Sequence, residues 1–250
     1  MGPDIRTFGV DCFKNCDSFP YFLYINNRPG VNVTFGCEAL TACHSLKNIE
    51  ISVPNGNLFF ESEVIAQEEN SYILDNLIIK AGTLTFLNDN GTKNSPLEIK
   101  SINKFELKVK EGKINGDIYV ANAGKERKGI LETNVFNDVR RCLLGSNADN
   151  HYFNEIVFTH TEEYPFKPTD NLITIGQEIG YNNEVTKELI LNFTKLTKET
   201  LANLKINIES SLLTSSHLFT GNDFSNYKAI LKFNGISLAD MLNSCKLTWL

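Results

Sequence analysis

Leu40-Thr41-Ala42-Cys43-His44-Ser45-Leu46-Lys47-Asn48-Ile49-Glu50-Ile51 carries apolar residues at steps of three, three, three and then two. Phe13, Cys16, Phe19, Phe22 and Tyr24 repeat the same steps about 27 residues earlier, inside the range of roughly 20–29 residues of leucine-rich repeats. Steps of three suit a short helical turn that buries one face, and a closing step of two suits a strand that buries one face. The spacing therefore predicts a turn of helix running into a strand, twice. A recurring unit of that kind is the building block of a solenoid, an architecture that presents binding surfaces more often than it catalyses.

Outward from these units the chain reads as mainly β with short helices, an α+β chain. Val31 to Phe35 alternates as a strand after the turn cluster Asn26 to Gly30. Residues 54–130 read as a β-rich insertion or subdomain within a single repeat-like domain of residues 1–250. Pro54-Asn55-Gly56 predicts a turn, Leu58 to Ile65 a strand, and Leu74 to Ile79 and Thr83 to Leu87 two more, broken at Ala81-Gly82. Phe105, Leu107 and Val109 alternate with Lys and Glu, the mark of a half-buried strand with a wet outer face. Glu111-Gly112-Lys113 turns the chain, and Ile114, Ile118 and Val120 return it. Hairpins and solenoid rungs both satisfy this pattern.

Further on, Phe136, Val139 and Cys142 keep the step of three, and Phe153, Ile156 and Phe158 supply a strand. Leu172 to Ile175 and Leu189 to Phe193 read as strands. Thr197 caps a helix whose buried face is Leu201, Leu204 and Ile208, with Glu199 at its positive end. Phe224, Tyr227, Ile230 and Phe233 recover the repeat spacing. Leu238, Met241, Leu242 and Cys245 predict a last short helix, with Trp249 and Leu250 covering the end of the core.

Composition narrows the function. The apolar fraction of 42% supports a packed core over the 250 residues. A net charge of −6, with no dense Lys/Arg cluster, argues against a general nucleic-acid binder. No stretch approaches the roughly 20 apolar residues of a membrane span, so no membrane insertion is expected. Met1 to Asp4 offers neither a basic nor an apolar signal region.

Of the six cysteines, Cys12, Cys16, Cys37 and Cys43 lie close together. Their gaps do not match the usual zinc knuckle. Cys16 and Cys43 share the apolar phase of the two units, which predicts buried free thiols. No cofactor is expected.

The run from Leu40 to Ile51 resembles the BspA-like leucine-rich repeat, in which an apolar residue, Cys, Leu, Ile and Ile recur at this spacing. Phe13-Lys14-Asn15-Cys16-Asp17-Ser18-Phe19 looks like a second copy and Leu242-Asn243-Ser244-Cys245 like a fragment of a third. Leu189 to Leu201 is similar to the closing strand and helix of such arrays in bacterial surface and phage tail proteins. The resemblance implies an irregular leucine-rich-repeat-like solenoid and an adhesion or binding module without catalytic residues. It implies a place in a virion or on a cell surface, with partners among the subunits of an assembly or a surface receptor or glycan.

Nucleotide-binding glycine loops, nucleophile elbows, zinc-protease helices and EF-hand loops are all missing from the sequence. Two alternatives stand beside the binding module. One is a small metal-dependent hydrolase built around His151, His160 and Asp149, since His160 ends a strand and Glu162-Glu163 follows. The other is an intracellular host-directed interaction module. Tyr21, Tyr164, Phe166 and Tyr181 are the candidate exposed contact residues, Tyr164 and Phe166 in the Pro-stiffened run Tyr164 to Pro168, with the alternative that these aromatics fold back on the solenoid. Trp249 is the candidate anchor at the C-terminal end, where an apolar surface needs a partner or its own chain to cover it.

Overall fold

A computed structural model describes residues 4–67, 73–87, 97–99, 102–112, 114, 119–120, 129–135, 155–168, 171–175, 188–208, 228–232 and 246–249. The strands are β1 (Thr7–Phe8), β2 (Tyr21–Ile25), β3 (Asn32–Phe35), β4 (Asn48–Phe60), β5 (Ile65–Ala66), β6 (Leu74–Phe86), β7 (Leu97–Ile99) and β8 (Ile102–Val109). They continue as β9 (Tyr119–Val120), β10 (Ile130–Thr133), β11 (Glu155–Thr159), β12 (Leu172–Ile175) and β13 (Glu188–Lys195). One helical turn, α1 (Lys198–Ala202), precedes β14 (Lys205–Ile208), β15 (Lys228–Lys232) and β16 (Lys246–Trp249).

Every pairing among these strands is parallel. The principal sheet runs β1-β3-β4-β6-β8-β10-β11-β13-β15, with β2 on the flank of β4. Two shorter stacks, β5-β7-β9 and β12-β14-β16, form further ladders. The chain is thus a mainly β, parallel-strand solenoid of about four turns with almost no helix. The strands of residues 54–130 are rungs paired in register with those before and after them, not hairpins. The expected return of the chain at Val120 is instead β9 lying parallel to β7.

The core is a set of vertical columns, because parallel in-register rungs place like residues above one another. Ile49, Leu77, Phe105, Leu131 and Ile156 make one such column, all buried. Phe8, Phe35, Phe60 and Phe86 make another, with Phe8 stacked on Phe35 at 4.3 Å and Phe60 edge-on to Phe35 at 5.4 Å. Offset-stacked and edge-on ring pairs add about 0.5–1.5 kcal/mol each beyond their buried area.

The steps of three are tight turns rather than helix. Lys14 N–H donates to Asp11 O and Cys16 N–H to Phe13 O, and Thr41 to Glu38 and Leu46 to Cys43 repeat the pattern. The amides between them reach the next rung, from Asp11, Phe13 and Asn15 to Cys37, Ala39 and Thr41. Glu38, Leu40 and Ala42 then donate to Ser62, Val64 and Ala66. Half the turn amides close the turn and half bind the neighbour, so the buried backbone is satisfied without a helix. Asp11 and Asn15 take positive φ near 57° and 58°, and Glu38 and Ala42 repeat this at 56° and 53°.

Pro54-Asn55-Gly56 is a corner inside β4, and β6 likewise runs unbroken through Ala81-Gly82. The β4–β6 register shifts between Val53 and Asn57, where the strand bends from one wall to the next. Thr197 caps α1 by accepting from Thr200 N–H, and Leu201 and Leu204 are buried as expected, but Ile208 belongs to β14.

Cys43 is fully buried, with its thiol donating to Phe13 O at 3.0 Å, and burial pushes its pKa up to about 11. Cys16 occupies the same phase but is only half-buried, packed against the edge of the core. Cys12, Cys16, Cys37 and Cys43 form no disulfide. Phe136, Val139, Cys142, Phe153, Phe224, Tyr227, Phe233 and residues 238–245 fall outside the described residues. No helix among the described residues is long and apolar enough to cross a membrane.

Candidate functional site

The outward side chains of the principal wall also fall into columns. Leu23, Glu50, Ile78, Glu106, Glu132 and Val157 form one, and Ile25, Ser52, Lys80 and Lys108 form the next. The wall is apolar at β2 and highly charged from β8 onward. There a cleft of about 850 Å³ opens, floored by Lys80, Glu106, Lys108, Glu132, Thr159 and Lys195. Residues 160–164 form its side.

Glu132 is the hub of the floor. Its carboxylate meets Lys195 at 2.8 Å, Lys108 at 3.4 Å and Lys104 at 3.8 Å. Burial pushes the pKa of Glu132 up, but the Lys195 hydrogen bond and the ammonium charges of Lys108, Lys195 and Lys104 outweigh it. The net position is below the usual carboxylate range. Lys108 is only 7% exposed and also donates to Thr159 Oγ1. Burial pulls its pKa below that of an ordinary lysine, against the opposing pull of Glu132 and Glu106. Lys80 pairs with Glu106 at 3.2 Å, and Lys110 with Glu163 at 3.2 Å.

The side wall is built by local bonds. Tyr164 N–H donates to Thr161 Oγ1 at 2.9 Å while Thr161 N–H donates to Tyr164 O at 3.1 Å. Phe166 N–H donates to His160 Nδ1 at 3.2 Å. Asn134, fully buried at the end of β10, ties the loop down by donating to Pro165 O at 3.0 Å. Its amide also donates to Val109 O at 2.7 Å and accepts from Val109 N–H at 2.9 Å.

Tyr164 and Phe166 do not stand exposed in their Pro-flanked loop; they fold back on the solenoid, the other reading of that run. They are 9% and 3% exposed, and Phe166 packs against Phe158 at 5.5 Å. The Phe166 ring joins the stack of Phe158 on Phe193, where burial is the larger gain. Burial, with the charges of Glu163 and Glu106, pushes the Tyr164 hydroxyl up to about 12.

Tyr21 is exposed as expected, with its hydroxyl donating to Glu50 at 3.3 Å. Tyr181, His151 and Asp149 lie outside the described residues. Trp249 ends β16, in register with Ile208, and its side chain is not among those described. Among the described residues no group of three or more His, Cys, Asp or Glu side chains is placed to hold a metal. Lys108, Glu132, Lys195 and Asn134 are the site residues that sequence reading missed. The alternation of Lys and Glu along β8 was their one visible trace.

Glu132 gives a pH prediction with a definite sign. Its folded pKa lies below its unfolded one, so its stabilisation is fully present above about 4.3 and is lost as pH falls through the folded value. Glu132→Gln should destabilise the fold by about 1–3 kcal/mol at pH 7, because clustered ammonium groups lose their counter-charge. The gap to wild type should close as pH falls from the unfolded value through the lower folded one. Urea titrations at several pH values check this, and a constant gap at all pH would contradict the linkage.

Compared with protein-family models, with curated proteins and with solved structures, the chain matches none.

Proposed function

We propose that this chain is a non-enzymatic binding module, a degenerate leucine-rich-repeat-like solenoid of BspA-like type, that makes protein–glycan contacts through the cleft beneath residues 160–164. The observation that carries this reading is the floor itself. Ammonium, carboxylate and hydroxyl groups alternate there on a rigid in-register sheet. A ligand bearing many hydroxyl or carboxyl groups can satisfy such a surface, whereas an apolar protein anchor would leave its charges desolvated and unpaired.

Catalysis fits the same groups less well. The cleft carboxylates Glu106, Glu132 and Glu163 sit in ion pairs, and His160 accepts a backbone amide with Nδ1. Thr159 Oγ1 lies beside Lys108, but the Lys108 ammonium donates to that hydroxyl and is held by Glu132, so it is not poised to take a proton from it. The setting proposed is a virion, as a tail or receptor-facing part, or a cell surface, where rigid repeat arrays meet receptors.

A glycan array followed by titration calorimetry tests the reading. Lys195→Ala at the rim should weaken binding by about tenfold or more, as expected for a lost charge-assisted hydrogen bond. Binding to no glycan, or identical affinity in that variant, would refute it. Turnover of a bound glycan would move the protein to the hydrolase class.

A further inference from the structure

We propose that the cleft selects acidic sugars, with Lys108, Thr159 and Lys195 forming a receptor at its floor for the carboxylate of a uronic or sialic acid residue. This rests on the glycan reading of the cleft and adds the chemical class of the glycan.

Two polar side chains of the floor are almost wholly buried and still line the cleft. Lys108 is 7% exposed and Thr159 is 6% exposed. Among the described residues the Lys108 ammonium meets acceptors for two of its three N–H groups, Glu132 Oε1 at 3.4 Å and Thr159 Oγ1. The Thr159 hydroxyl accepts that bond, which leaves its own O–H to donate. Each side chain therefore keeps one donor over, at a depth where a charge-assisted bond is worth more than at the open surface.

The charges point to a single negative group. Lys104, Lys108 and Lys195 share the one carboxylate of Glu132. Glu106 is engaged by Lys80 and Glu163 by Lys110. Glu162 stands exposed at the side. Five ammonium groups thus meet four carboxylates, and one further carboxylate balances them. The spacing suits that group too. Lys108 meets Oε1 of Glu132 and Lys195 meets Oε2, so the two ammonium groups flank one planar carboxylate and are close enough to share a second. A sugar acid surrounds its one charge with neutral hydroxyls, which can donate to Glu162 and Glu163. A run of acidic side chains would be repelled by the same two residues.

A glycan array carrying uronates, sialosides, their methyl esters, sulfated sugars and the neutral parent sugars tests this, with calorimetry on the full chain for each hit. The acid form should bind about tenfold or more tighter than its own methyl ester. Thr159→Val should lose most of that difference and Thr159→Ser should keep it. Lys195→Gln, at a side chain 53% exposed, should also lose it and serves if Thr159→Val does not fold. Equal affinity for acid and ester, or a preference for sulfated sugars, would overturn this inference and leave the glycan reading standing. An acid preference that survives both Thr159→Val and Lys195→Gln would overturn the floor receptor. Binding to polyglutamate with no glycan bound, or to nothing on the array, would overturn both.

Discussion

Gly56→Ala should cost about 3 kcal/mol or more of folding stability, in the range of severe overpacking of a well-packed site. A Cβ at Gly56 would stand 2.4 Å from Val31 O and 2.7 Å from Val31 Cγ2. That carbonyl cannot withdraw cheaply, because it accepts from Asn57 N–H at 2.7 Å and so holds the corner of one rung to the next. The corner above is as tight: a Cβ at Gly82 would lie 2.6 Å from Gly56 O. Gly82→Ala should therefore behave alike. Gly9→Ala is the control. Nothing lies within 4 Å of a Cβ there and its φ is not positive, so the variant should be neutral or gain up to about 1 kcal/mol from the unfolded state. Urea unfolding of the three variants distinguishes a stacked corner from an ordinary surface turn. Wild-type stability in Gly56→Ala would mean that the rungs do not stack this closely.

Pro54-Asn55-Gly56 also shows where sequence reading stopped. Pro, Asn and Gly together mark a chain reversal in most contexts. Here the chain bends by one wall and continues, and only the neighbouring rungs reveal it. The step of three had the same ambiguity. It fits a helical turn, and it fits successive tight turns closed after three residues, which is what Phe13 to Cys16 and Cys43 to Leu46 form. The repeat and the inward residues were legible, since Leu40, Cys43, Leu46, Ile49 and Ile51 are all buried. Alternation in β8 showed a half-buried strand but not its partner. A parallel rung and a hairpin arm present the same wet and dry faces, so direction was invisible until β4, β6 and β8 were seen in register.

The site was less legible than the fold, for a related reason. Glu132 lies 24 residues from Lys108 and 63 from Lys195, and only the rung register brings them together. Tyr164 and Phe166 pointed the other way. Aromatics in a Pro-stiffened run look exposed when read locally, yet both are buried, Phe166 against Phe158. Phe8, Phe13, Phe22 and Tyr24, scattered through the first 24 residues, pack against one another with ring centroids 5.1–6.2 Å apart.

Asn134→Ala should remove about 2–4 kcal/mol and detach the wall of the cleft together, since each stranded backbone group costs about 1–3 kcal/mol. One side chain serves Val109 N–H, Val109 C=O, which keeps a second bond from Gly112 N–H at 2.9 Å, and the half-buried Pro165 C=O. No water replaces it without room, because the position is fully buried. The first two bonds hold the end of β8 to the end of β10. The third holds the loop that carries Tyr164 and Phe166 over Lys108 and Glu132. Amide hydrogen exchange should therefore rise in residues 161–167 more than in β4 or β6, whose ladders are untouched. Asn134→Asp separates the two roles. Its carboxylate can still accept from Val109 N–H but confronts both carbonyls, so it should be worse than wild type at pH 7. It should recover partly in acid, when one oxygen regains a proton to donate. If the loop's exchange stays at the wild-type level in Asn134→Ala, Asn134 does not anchor it, and the cleft wall is held by its own Thr161–Tyr164 and His160–Phe166 bonds and the burial of Phe166.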